Sequence, residues 1–135
     1  MSLKLAGDGD GMNALRVLRG TAWGCLAVIA ILSLLPAEEM VRTGLSGHIE
    51  HAIAYAAASV IVLLAYGKHG LVRVAAGLIL YAGVLEFLQR FSPGRHSGVD
   101  DFLASSTGVL IGIAALMSWR SLQQRRASGF SRSRS

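Results

Sequence analysis

The chain has 135 residues, of which 53% are hydrophobic and 16% charged, with a mean hydropathy of +0.51. Soluble domains carry about 25% charged residues, so this composition argues against an ordinary water-soluble globule, and the length allows one domain. The net charge of +5 does not imply a nucleic-acid partner, because the basic residues sit in tails and short loops, where a membrane protein keeps them.

Residues 1–14 open with MSLKLAGDGDGM, rich in Gly and Asp and without apolar period, and read as a disordered tail. Asp8 and Asp10 have the spacing of a calcium loop, but Met12 occupies the next ligand position and no later Glu completes the pattern. Asn13 is a candidate N-cap, and Arg16 and Arg19 flank the first apolar run, Gly20 to Leu35. Pro36 should end that helix, since the residue before a proline is pushed out of the helical region. A cleaved signal peptide is the rival reading, and it places Leu35 where a small residue is wanted. Cys25, the one cysteine, cannot form an internal disulfide.

A loop with Glu38, Glu39 and Arg42 leads to a second helix from about Gly47 to Tyr66. His48, His51, Tyr55 and Ser59 recur at steps of three and four and form one polar stripe on it. The alanines between positions 52 and 58 make the helix thin and suited to close packing. A basic turn follows with Lys68, His69, Gly70 and Arg73, in which Gly70 reads as a loop position tolerant of substitution. The third helix is expected from Leu71 to Phe91, with its polar residues, Glu86, Gln89 and Arg90, all late. Pro93-Gly94 signals a turn. The fourth helix should begin at Asp100 or Asp101, because Asp favours the N-cap. Ala104, Gly108 and Gly112 then recur every fourth residue as a small-residue seam. From Arg120 the chain is rich in Arg, Ser and Gln, and residues 120–135 read as a basic disordered tail.

The fold expected for residues 15–119 is all-α: an integral membrane four-helix bundle with short loops. Four crossings put the N-terminus, the second loop and the C-terminus on one side with ten Lys and Arg, against three in the other two loops. The excess marks the cytoplasmic side, so both termini should be cytoplasmic. His51, Tyr55, Glu86, Gln89, Arg95 and Asp101 come from separate segments, yet this topology gathers them near the outer face. Each has a plain structural use. Glu86 can snorkel or pair with Arg90, His51 and Tyr55 can make a hydrogen-bonded helix contact, Asp100 and Asp101 can cap, and Arg95 can tie the hairpin to Asp101 or Glu86. Each also has a functional one, because ionisable groups inside a membrane span mark sites by default.

His51-x-x-x-Tyr55, Glu86-x-x-Gln89, Pro93-Gly94-Arg95, Asp101, then Gly108 and Gly112, with Ser33-Leu34-Leu35-Pro36 closing the first helix, resemble the VanZ-like family over roughly residues 20 to 115. The resemblance implies a small bacterial plasma-membrane protein of the cell envelope, of a family whose namesake is associated with resistance to the glycopeptide teicoplanin. Three family positions differ here: Gly47-His48 replaces an Asp-Lys pair, and Ser105 stands for an Asn. Carried over, the ligand-binding set is His51, Tyr55, Glu86, Gln89, Arg95, Asp101 and Ser105.

Three functions fit these residues. The first is a non-enzymatic envelope factor whose outer cluster binds a lipid headgroup, a cell-wall precursor or an amphiphilic drug, with Arg95 gripping phosphate or carboxylate. The second is a proton-coupled exporter with Glu86 as the proton site, working as a homo-oligomer. The third is a membrane-embedded hydrolase or transferase using His51, Glu86 and Asp101. No Ser or Cys stands in a recognised nucleophile setting, and no metal motif is tighter than His48-x-x-His51. The first reading is therefore preferred, with membrane lipids and a polar envelope ligand as partners and with no cofactor, metal or catalytic residue assigned.

Overall fold

The computed structural model describes residues 6–39, 44–67, 70–94 and 98–132. They form four helices: α1 (Ala6–Leu34), α2 (Gly47–Tyr66), α3 (Leu71–Gln89) and α4 (Val99–Arg132), with a single 3₁₀ turn at Ala37–Glu39. Each holds a stretch long and apolar enough to cross a bilayer, the shortest being the 19 residues of α3. At 1.5 Å per residue that is about 28 Å, close to the ~30 Å hydrocarbon thickness. The chain is thus an all-α, multi-pass membrane protein.

Local chemistry sets the boundaries. α1 stops two residues before Pro36, whose ring and missing N–H cannot continue a helix. α2 starts after Ser46, whose extended backbone leaves its carbonyl to accept the Ile49 and Glu50 N–H groups at 2.9 and 3.2 Å. α3 starts after Gly70, at φ +98°, a conformation that other residues enter only with strain. Gly70 is therefore not the tolerant loop position that its surroundings suggest. It hinges α2 onto α3, with its N–H on the Gly67 carbonyl and its own carbonyl taking the Val74 N–H, both at 3.2 Å. The Lys68-His69 part of the turn lies outside the described residues.

Two segments expected to be irregular are helical. α1 already runs from Ala6, so Asn13 lies inside it and is not its cap. Asp8 and Asp10 lie within this helix and not in a loop. α4 continues through Arg120 to Arg132. Elongating an existing helix needs no new nucleus, and Leu, Gln and Arg are good helix formers even without an apolar face. α4 also begins earlier than expected. Val99 is its first residue, and Asp100 and Asp101 occupy the first turn instead of the cap.

The helices run alternately up and down. α2 touches all three others, α3 does likewise, and among the described residues α1 and α4 do not meet. The closest contact joins α2 and α4, which run parallel. Gly108 lies on Ala52 and Gly112 on Ala56 and Ser59, so near that a Cβ at either glycine would strike the facing carbonyl. Ala104, the third member of the expected seam, is half-buried. Val109, Ile113 and Leu116 line the interior beside the glycines, against Tyr55, Ala58 and Leu63 of α2 and Leu78 and Leu85 of α3. The outer surface is apolar as well: Ile31, Leu80, Leu110 and Ile111 are all more than half exposed. Helices apolar all round belong in a membrane.

Gly108→Leu should lower the thermal stability of the purified protein in detergent by about 1–3 kcal/mol or more, because it overpacks a backbone contact. Gly77→Leu is the control, since open space surrounds that position; it should stay within about 0.5 kcal/mol of the parent. Equal melting curves for the two variants would remove the seam from the account.

Candidate functional site

One end of the bundle receives the end of α1, the start of α2, the end of α3 and the start of α4. Two hydrogen bonds register α1 against α3: deeper in the bundle the Tyr81 hydroxyl donates to the Leu26 carbonyl at 2.6 Å, and at this end the Ser92 hydroxyl donates to the Leu34 carbonyl at 3.1 Å. The second lies where α3 gives way to the Pro93-Gly94 turn. Gly94 takes φ +72° there, a conformation that glycine enters without strain.

Glu86 sits one turn before the end of α3. Its Oε1 accepts the Gly98 N–H at 2.6 Å. Gly98 directly precedes α4, and the first N–H groups of a helix have no partner within it. A carboxyl oxygen from one helix therefore caps the start of another, an end that carries positive partial charge. The bond is between elements, so it fixes the angle at which the hairpin closes.

Asp101 points the other way, to α2. Its Oδ1 lies 2.7 Å from His48 Nδ1, with His48 58% exposed and Asp101 20% exposed. A pair this wet is worth about 0.2–1 kcal/mol, so it adds register more than stability. Among the described residues, Asp101 and Glu86 thus serve two separate cross-helix links. Arg95, expected to couple them, lies outside the described residues.

Behind these links lie polar side chains with little solvent. Tyr55 is 1% exposed, Gln89 2% and Ser105 3%, and they come from α2, α3 and α4 respectively. Side chains on a helix lean toward its N-terminus, so Tyr55 leans toward this end. His51 is half-buried one turn before it. The polar stripe of α2 is therefore split, with His48 in water and Tyr55 and Ser59 in the core. Ser59 satisfies itself on the Ala56 carbonyl at 2.8 Å.

Of the residues singled out in the sequence, Tyr55, Glu86, Gln89, Asp101 and Ser105 converge on this end with His51 beside them. Three contributors were not singled out as site residues. His48 was visible as the first member of the polar stripe. Ser33, 5% exposed at the end of α1, was visible only as part of the helix-ending Ser-Leu-Leu-Pro. Gly98 gave no signal, because its contribution is a backbone N–H. No three His, Cys, Asp or Glu side chains among the described residues come together as a metal site requires. What the arrangement offers is hydrogen bonding and mixed charge at a membrane face.

Glu86→Ala should cost about 1–3 kcal/mol by leaving the Gly98 N–H without its acceptor. Glu86→Gln retains a side-chain oxygen and should cost less than half as much. Thermal unfolding in detergent reads both, and equal losses would mean that the carboxyl does not cap α4.

No family model matches this chain, and no curated protein or solved structure is similar to it.

Proposed function

We propose that this is a VanZ-like protein of the bacterial plasma membrane that acts without catalysis, holding a polar ligand at the end of the bundle built around Glu86. The convergence of buried Tyr55, Gln89 and Ser105 behind the Glu86–Gly98 link carries this reading. Polar side chains from three helices are concentrated at one face of an otherwise apolar bundle, which is the distribution that recognition of a headgroup, a cell-wall precursor or an amphiphilic drug uses. Lipid surrounds the apolar flanks, and mixed charge at the polar end selects the ligand. Tolerance of glycopeptides or other envelope-active compounds is the consequence we assign to that binding.

A strain lacking the protein should be more sensitive to envelope-active drugs. The wild-type chain should restore tolerance, and Glu86→Gln, Asp101→Asn and Arg95→Ala should fail to restore it at normal membrane levels. Full complementation by Glu86→Gln and Asp101→Asn together would remove both carboxylates from the function.

The polar end faces outward in this reading, with both termini cytoplasmic, and the excess of Lys and Arg around the termini and the second loop supports it. Fusions of a cytoplasm-only reporter after residues 69 and 124 should be active, and those after residues 42 and 96 silent. An active reporter at 96 would turn the site to the cytoplasm.

A further inference from the structure

The opposite end of the bundle carries a second polar arrangement, on the α1–α2 face. Tyr66 is the last residue of α2, where that helix leaves the bilayer. Its hydroxyl accepts the Trp23 indole N–H at 2.9 Å. One turn before Trp23 on α1, the Arg19 guanidinium carbon lies 5.4 Å from the centroid of the Tyr66 ring. The Nε of Arg19 is enclosed and has no hydrogen-bond partner. Stacking on the Tyr66 ring therefore positions this cation.

We infer that Arg19, seated on the Tyr66 ring that Trp23 holds by its indole N–H, binds the phosphate of an anionic lipid in the leaflet at this end of the bundle. Guanidinium groups match phosphate geometry, and stacking preorganises them. Trp and Tyr are the side chains that settle at headgroup depth. Toward the membrane centre from the arginine, α1 exposes apolar side chains to lipid: Trp23, at 66% exposure, one turn on, then Ile31 and Val28 further around the helix. Acyl chains can lie along it while the phosphate meets Arg19. The ligand is then a whole amphiphile, with its charge at Arg19 and its chains against the exposed apolar surface of the same helix. Arg16, one turn earlier and exposed, adds attraction without the aromatic seat.

The chain has two tryptophans, so Trp119→Phe leaves Trp23 as the only indole reporter. The full-length protein is placed in phosphatidylcholine nanodiscs doped with brominated-chain phosphatidylglycerol or, in parallel, brominated-chain phosphatidylcholine. Trp23 should be quenched preferentially by the anionic lipid, with a relative affinity roughly fivefold higher, the effect of ~1 kcal/mol per arginine at a charged surface. Arg19→Gln should abolish the preference and Arg16→Gln should keep most of it. Arg19→Lys retains the charge and loses the planar stack, so it should weaken the preference, and it serves as the readout if the glutamine variant does not accumulate. Equal quenching by the two lipids in the parent overturns the assignment. So do a preference unchanged by either Arg19 substitution and a loss in Arg16→Gln as large as in Arg19→Gln. Inorganic phosphate that erases the preference would identify a free anion instead of a lipid as the ligand.

Discussion

Everything else in this bundle is arranged around the approach of two backbones, at Gly108 and Gly112 of α4 against Ala52 and Ala56 of α2. In water such a contact would be driven by burial of apolar surface. In lipid, where the solvent is as apolar as leucine, association relies on close packing and on hydrogen bonds between helices. Small residues facing one another on both helices bring the main chains within reach of dispersion contact. The pair is parallel, so it requires α3 to cross back between its members. α3 then lies against both, with Gly83 leaving room for the Phe102 ring at 3.4 Å from where its Cβ would be.

The register set by the glycines decides what meets at the polar end. Ala52 opposite Gly108 brings His48, one turn further out on α2, near Asp101, two turns further out on α4, and the hairpin after α3 then places Gly98 against Glu86. Deeper polar groups find main-chain acceptors: Tyr81 bonds a carbonyl of α1, and Ser59 one in its own helix. Interhelical hydrogen bonds in membranes contribute only about 0.6 kcal/mol on average. Their main effect here is to select one sliding position of smooth, alanine-rich surfaces that would otherwise fit several.

Most of this fold is legible in the residues. The apolar period marks α2 from Gly47 to Tyr66, Pro36 stops α1, and the four-residue recurrence of glycine on α4 identifies the packing face. The ends of α1 and α4 are not legible, because beyond the bilayer no apolar stripe reports helix. Glycines near the start of α1 and arginines late in α4 read as irregular chain although the helices continue through them. The site is legible as a set of side chains and obscure as a set of bonds. Glu86 stands out as an acid near a helix end, but its acceptor role toward Gly98 depends on a backbone group that every residue except proline has. Asp101 stands out equally, yet its choice of His48 follows from the α2–α4 register, which no local pattern encodes. Gly70 looks like any loop glycine until its positive φ is seen.

The parallel pairing of α2 with α4 also has a temporal side. The two halves of the tightest interface are separated in the chain by the whole of α3 and its flanking turns. At about 5–20 residues per second of synthesis, the alanine face of α2 enters the bilayer several seconds before its glycine counterpart exists. During that interval α2 has only α1 and the emerging α3 beside it, and its alanine surface is open to any other helix in the membrane. Of the four helices α4 is the last to be made and the one that closes the bundle, so the helices are committed to their final arrangement only once α4 has emerged.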